Sequence, residues 1–157
     1  MIPVYPASAK FSSWKIAKSV QVLLDTLDVG EDPLPAALRE REGLVGRAAT
    51  QGGKLLQRLT ETLADHPLVG EIRGTGLIGA IELVADKERR KFFPSERRVG
   101  LACRNHCFES GLVMRAVRDT MVFAPPFTIT DAEIAEFTQL AVRAIDLTWR
   151  DVEQEPG

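Results

Sequence analysis

The most regular alternation of apolar and polar positions lies between residues 44 and 64. Val45, Ala48, Ala49, Gly52, Leu55, Leu56, Leu59 and Leu63 recur at intervals of three and four, which predicts an amphipathic helix. Arg47, Lys54, Arg58 and Glu61 fall on its other faces. His66-Pro67 ends it, because proline lacks a backbone donor and disfavours helix in the residue before it. The period then changes. Residues 68–73 and 77–84 read as two strands around Gly74-Thr75-Gly76, and the second, apolar except for Glu82, should be central. Residues 85–98 form a charged loop containing Pro94. Residues 99–110 read as a helix closed by Gly111. A second strand pair follows at 112–116 and 121–124, stopped by Pro125-Pro126. Thr130-Asp131-Ala132-Glu133 has the form of a capping box. The helix it opens should run to about Trp149, with Ile134, Phe137, Ala141, Ala144, Ile145 and Thr148 inward and a loose tail over 151–157.

Upstream, Pro3 and Pro6 oppose regular structure over 1–14. Residues 15–29 carry Ile16, Val20, Leu23, Leu24 and Leu27 at helical spacing, up to a break at Gly30-Glu31-Asp32-Pro33. Pro35 suits the first turn of a further helix. From residue 40 on, the order is helix, two strands, helix, two strands, helix. That order predicts an α+β fold: a small, mostly antiparallel sheet with helices on one side.

Composition narrows the function classes. The 157 residues are 45% hydrophobic and 27% charged, which is globular rather than disordered. A net charge of −2 gives no general argument for nucleic-acid binding. No apolar run is long enough to span a bilayer, and residues 1–14 lack the basic start and apolar core of a signal peptide. Cys103 and Cys107 do not make a disulfide framework, so a reducing, cytoplasmic setting is expected.

Four landmarks then occur in order: Arg41-Glu42-Gly43-Leu44-Val45; His66-Pro67-Leu68-Val69-Gly70-Glu71-Ile72-Arg73-Gly74-Thr75-Gly76-Leu77; Glu82-Leu83-Val84-Ala85-Asp86-Lys87; and Gly111-Leu112-Val113-Met114-Arg115 with Asp119 to Phe127 behind it. Over residues 40–146 this resembles the C-terminal small domain of class III aminotransferases, the ω-amino acid and amine:pyruvate branch of the fold-type I enzymes that use pyridoxal phosphate (PLP). The resemblance implies the fold of that domain over 40–150, with 1–39 as a non-matching segment. It implies PLP as the cofactor of full-length members, held by a lysine and an aspartate of a large domain that these residues do not resemble. Lys10, Lys15, Lys18, Lys54, Lys87 and Lys91 are not in the context of that lysine. No catalytic residue is therefore carried over, and the chain alone is expected to be truncated, without bound PLP and inactive.

One site residue is carried over. At the position of Arg115 the amine:pyruvate branch has an arginine that binds the substrate carboxylate. Guanidinium offers a planar, permanently charged fork that matches such a group. Strand alternation points Arg115 away from Met114 and Ala116. Arg118 stands where members often have glycine, and Val122 where ornithine- and GABA-type members have arginine.

Other constellations have plainer readings. Arg73 with Gly74 and Gly76 could cradle an anion, but a tight strand connection with a locally paired arginine accounts for them better. Cys103, His106 and Cys107 share a helical face, and only His66 could complete four metal ligands, so core-facing cysteines are expected and no metal. The basic run Lys87, Arg89, Arg90, Lys91, Arg97 and Arg98 is interrupted by Glu88 and Glu96, as in a solvated loop anchored by Phe92-Phe93. Three functions stay open: part of a transaminase; a binding module that takes a carboxylate through Arg115 or pairs with a full-length aminotransferase or its large domain; or a structural unit whose exposed face self-associates into a homo-oligomer.

Overall fold

The computed structural model describes residues 43–154, all within a compact unit that runs from Glu40 to Gly157. The helix expected over 15–29 and the turn at Pro35 lie outside the described residues. Three helices and four strands follow one another: α1 (Leu44–Leu63), β1 (Val69–Thr75), β2 (Ile78–Leu83), α2 (Val99–Glu109), β3 (Arg115–Val117), β4 (Thr120–Phe123) and α3 (Asp131–Gln154). A short 3-10 turn at Ser95–Arg97 precedes α2. The strands form one antiparallel sheet in the order β1-β2-β4-β3. The fold is α+β, as the element order predicts.

The buried side of the sheet holds Ile81, Leu83, Met121 and Phe123. Against them lie Leu55, Leu59 and Leu63 of α1, Val99, Cys103 and Cys107 of α2, and Ile134, Phe137, Ala141 and Ile145 of α3. Hydrophobic burial here is the main favourable term, worth about 1.5–3 kcal/mol for each large aliphatic side chain. α1 deviates from its expected face. Val45 and Ala49 are exposed, and Gln51 is buried instead. Its amide repays that burial by donating to the Ile129 carbonyl and to Asp131 Oδ1, both at 3.0 Å.

Two close approaches shape the packing, one between α1 and the sheet and one between paired strands. Gly52 of α1 lies against Gly76 in the β1–β2 turn, and Gly79 of β2 lies under the Phe123 ring. Gly76 has φ 53°, a left-handed conformation that glycine adopts without a Cβ penalty.

α3 is longer than expected. Its last turn reaches Gln154, so residues 151–154 are not loose tail. Tertiary contacts hold it: Val152 packs on the core, the Arg97 guanidinium donates to the Val152 carbonyl at 3.2 Å, and His106 Nε2 lies 2.7 Å from Asp151 Oδ2. At the other end the capping box forms as expected. Thr130 N–H donates to Glu133 Oε2 at 2.7 Å, and Glu133 N–H donates to Thr130 Oγ1 at 3.3 Å.

Hydrogen bonds from Lys54 and then Gln51 hold the neighbouring Asp131 carboxyl below its ordinary value. A carboxylate with a lowered folded pKa stabilises the fold above its unfolded pKa, and loses that contribution as pH falls through the folded value. Asp131→Asn should therefore lower stability at neutral pH and flatten its acid decline below about pH 4, as read from urea midpoints across pH.

Candidate functional site

The face of the sheet away from the helices is where the chemistry-bearing side chains gather. Directly paired residues of an antiparallel sheet project to the same side. Arg73 pairs with Ala80, Ala80 with Val122, and Val122 with Arg115. These four make one row across all four strands, with an arginine at each end. In the next row Glu71 pairs with Glu82, Glu82 with Thr120, and Thr120 with Val117.

The two arginines differ in circumstance. Arg73 Nη1 donates to Glu71 Oε2 at 3.0 Å and to Glu82 Oε2 at 3.1 Å. Its charge is consumed locally, as the plainer reading expects. Arg115 is exposed at the opposite edge, and no ion pair to it is found among the described residues. Met114 behind it is buried, so alternation aims Arg115 off the core. Beside it on the outer face stand Val113, 78% exposed, and Val117, 51% exposed. Among the described residues the guanidinium thus has no ionic partner and stands between two exposed valines.

The β3–β4 turn that carries Arg115 is tied down by Asp119, which sequence reasoning passed over. Its Oδ1 accepts the Gly100 N–H at 2.9 Å, satisfying a free donor of the first turn of α2. Its backbone carbonyl accepts the Leu83 N–H at 2.8 Å. An aspartate in a glycine-poor turn was the available signal. Arg118 takes φ 54° in this turn, where glycine would sit without strain. Arg118→Gly should stabilise the protein by about 0.5–1 kcal/mol, raising the thermal midpoint by a few degrees. An unchanged or lower midpoint would mean that the arginine makes compensating contacts.

The remaining candidates separate. Cys103 and Cys107 are buried free thiols. A side-chain hydrogen bond with Cys103, and then burial, pushes the Cys107 thiol up. His106 turns to Asp151, and His66 Nε2 lies 3.2 Å from Asp146 while its Nδ1 accepts the Leu68 N–H. Among the described residues no cluster of His, Cys, Asp and Glu could hold a metal ion. In the basic loop Phe93 is buried with Arg97 over its ring, whereas Phe92 is 56% exposed. One phenylalanine, not two, anchors the loop, because successive residues of an extended segment point to opposite sides. No described helix is long and apolar enough to cross a membrane.

The described lysines do not fit the task of holding an aldehyde cofactor. That task calls for an amine desolvated or placed beside another cation. Lys54 is exposed and paired with Asp131 at 2.8 Å, Lys87 is exposed and donates to the Ala64 carbonyl, and Lys91 is exposed.

The described fold is a helix-backed antiparallel sheet with an exposed arginine, Arg115, on its outer face. Solved structures carry the same architecture. An ω-transaminase from Pseudomonas jessenii, in complex with PMP, superposes with a TM-score of 0.69 at 36% identity, covering 74% of this chain and 25% of that one. A transaminase from directed evolution by ancestral reconstruction gives 0.72 at 43% identity, over 74% of this chain and 26% of that one. The chain belongs to the class III aminotransferase family, whose model matches residues 26–145. That match begins ahead of Glu40, so the family likeness extends into the N-terminal segment. Putrescine–pyruvate aminotransferase of Pseudomonas aeruginosa is 45% identical over 111 residues, 71% of this chain and 24% of the relative. Diaminobutyrate–2-oxoglutarate transaminase of Halomonas elongata is 38% identical over 112 residues, 70% of this chain and 24% of the relative. The chain thus spans about a quarter of the length of these relatives. PLP is the cofactor of this family.

Proposed function

We propose that this chain supplies the small-domain part of a PLP-dependent transamination between an amine or ω-amino acid and a keto acid such as pyruvate. In this reading Arg115 binds the substrate carboxylate. The observation that carries it is a guanidinium left without an ionic partner among the described residues, exposed on the sheet face away from the helices. A carboxylate would satisfy that fork bidentately, while Val113, Val117 and Val122 would take the apolar part of a substrate. The likeness to putrescine–pyruvate aminotransferase supports an aliphatic amine donor and pyruvate as acceptor. PLP, when bound to a complete site, supplies the electron sink for amino-group transfer. The described residues of this chain orient substrate and contribute no cofactor-holding amine. We read the 157 residues as inactive by themselves, and as needing an aminotransferase large domain.

Two measurements test this. Pyruvate or a short ω-amino acid, titrated into the chain at low salt, should shift the Arg115 side-chain resonances with a Kd of about 0.1 M, since a lone exposed ion pair is worth at most about 1 kcal/mol. Arg115→Ala should abolish the shifts while the fold is retained. Incubation with PLP and amine, followed by borohydride, should leave lysines unmodified. A stable pyridoxyl adduct on Lys54, Lys87 or Lys91 would overturn the division of labour.

A further inference from the structure

β3 is an edge strand, and one row of its backbone groups meets nothing among the described residues. The Leu83 N–H donates to the Asp119 carbonyl at 2.8 Å, which fixes the alternation across the sheet. Ile81 and Leu83 of β2 turn their backbone groups toward β4. Met121 and Phe123 of β4 turn theirs toward β2, and Thr120 and Val122 turn theirs toward β3. Val117 and Arg115, paired with Thr120 and Val122, are therefore satisfied. The N–H and C=O of Ala116 point off the edge instead, as do those of Met114 by the same alternation. Among the described residues no turn or loop backbone bond reaches either. An extended segment laid beside β3 would take bonds at this spacing.

Beneath that edge the flank of α2 is apolar. Gly100 abuts the β3–β4 turn, where an added Cβ would stand 1.9 Å from the Arg118 carbonyl oxygen, while His106 faces α3 through Asp151. At about 100° per residue, Leu101, Arg104 and Phe108 fall on the Gly100 flank, away from α3. Leu101 and Phe108 are exposed, and the Arg104 guanidinium lies 5.1 Å from the Phe108 ring centroid. The surrounding charge has one sign. Arg104, Arg115 and Arg118 have no ionic partner among the described residues, and the carboxylate of the turn, Asp119, is committed to the Gly100 N–H. We propose that the free edge of β3 binds an extended peptide of another protein by strand addition, one in which acidic and apolar residues alternate. Its apolar side chains turn in onto Leu101 and Phe108, and its acidic ones turn out on the side of Arg115. A second copy of this chain is the poorer occupant, because pairing β3 with itself brings the two arginine groups together. The inference stands apart from the substrate reading, because the backbone of β3 holds the peptide.

An end-blocked octapeptide of alternating valine and glutamate is the probe. Titrated into the whole chain at low salt and followed by amide NMR, it should bind with a Kd between about 10 μM and 1 mM and slow hydrogen exchange at Met114 and Ala116. Alternate peptide nitrogens face β3, so N-methylating either the valines or the glutamates should abolish binding, and N-methylating the other set should spare it. On the protein, Ala116→Pro removes an outward N–H and no bond to β4, and should weaken binding by about fivefold or more. Leu101→Glu, on the helix flank, should weaken it by a similar factor through charge repulsion and lost apolar contact. Arg115→Ala should weaken the peptide by less than about fivefold while abolishing the response to pyruvate, which separates this proposal from the substrate reading. Circular dichroism confirms that each variant is folded. No binding up to about 1 mM, or equal binding of a peptide with the same residues in two blocks, overturns the proposal. Equal effects of the two N-methylated sets, or full binding by both Ala116→Pro and Leu101→Glu, overturn it as well.

Discussion

Gly52→Ala should destabilise this protein by about 2–3 kcal/mol, although helix propensity alone argues for the reverse. In an exposed helix interior alanine is better than glycine by about 1 kcal/mol. Here a Cβ on Gly52 would stand 1.7 Å from the Gly76 carbonyl oxygen and 2.1 Å from its carbon. Both atoms are backbone, and no rotamer change can move them away. Gly76 is itself fixed in a left-handed turn between β1 and β2. Relief requires α1 to lift from the sheet, which would open the contacts of Leu55 and Leu59 behind it. Urea unfolding followed by circular dichroism measures the effect. A midpoint at or above that of the wild type would show that α1 and the turn are not in this contact.

Phe123→Ala should cost more, about 3–5 kcal/mol, against a total of about 5–15 kcal/mol for a domain. The ring is 2% exposed, covers Gly79, and meets Phe137 edge-on at 5.4 Å. Its removal forfeits transfer free energy, leaves a cavity between sheet and α3, and breaks an aromatic pair worth about 0.5–1.5 kcal/mol. Gly79→Ala alone should also destabilise, because its Cβ would lie 2.2 Å from the ring. Together the two changes should cost less than the sum of their separate effects, since the new methyl enters space the ring has left. Strict additivity in that cycle would mean that the two sites do not touch.

Much of this architecture was legible from local pattern. The period of three to four over α1, the strand–glycine–strand text of β1 and β2, and Gly111 behind α2 mark elements whose causes lie within a few residues. The Thr130–Glu133 capping box is legible for the same reason, since both partners belong to one helical turn. Arg115's outward aim follows from alternation with Met114. Where the reading departed, the cause lay far away in sequence. Gln51 is buried because Ile129 and Asp131 receive its amide. α3 continues to Gln154 because α2 and the loop before it supply His106 and Arg97 as partners.

The amino-acid order alone determines which segments become helix or strand, which side of each is apolar, and which family landmarks it carries, because those properties depend on neighbours along the chain. Only the tertiary structure decides that β2 lies beside β4 rather than β3, that two glycines bring α1 onto a turn, and that Arg73 and Arg115 end one row with only one of them neutralised. Register and close packing depend on what stands opposite, and for β2 and β4 that partner lies some forty residues away, beyond the reach of any local period.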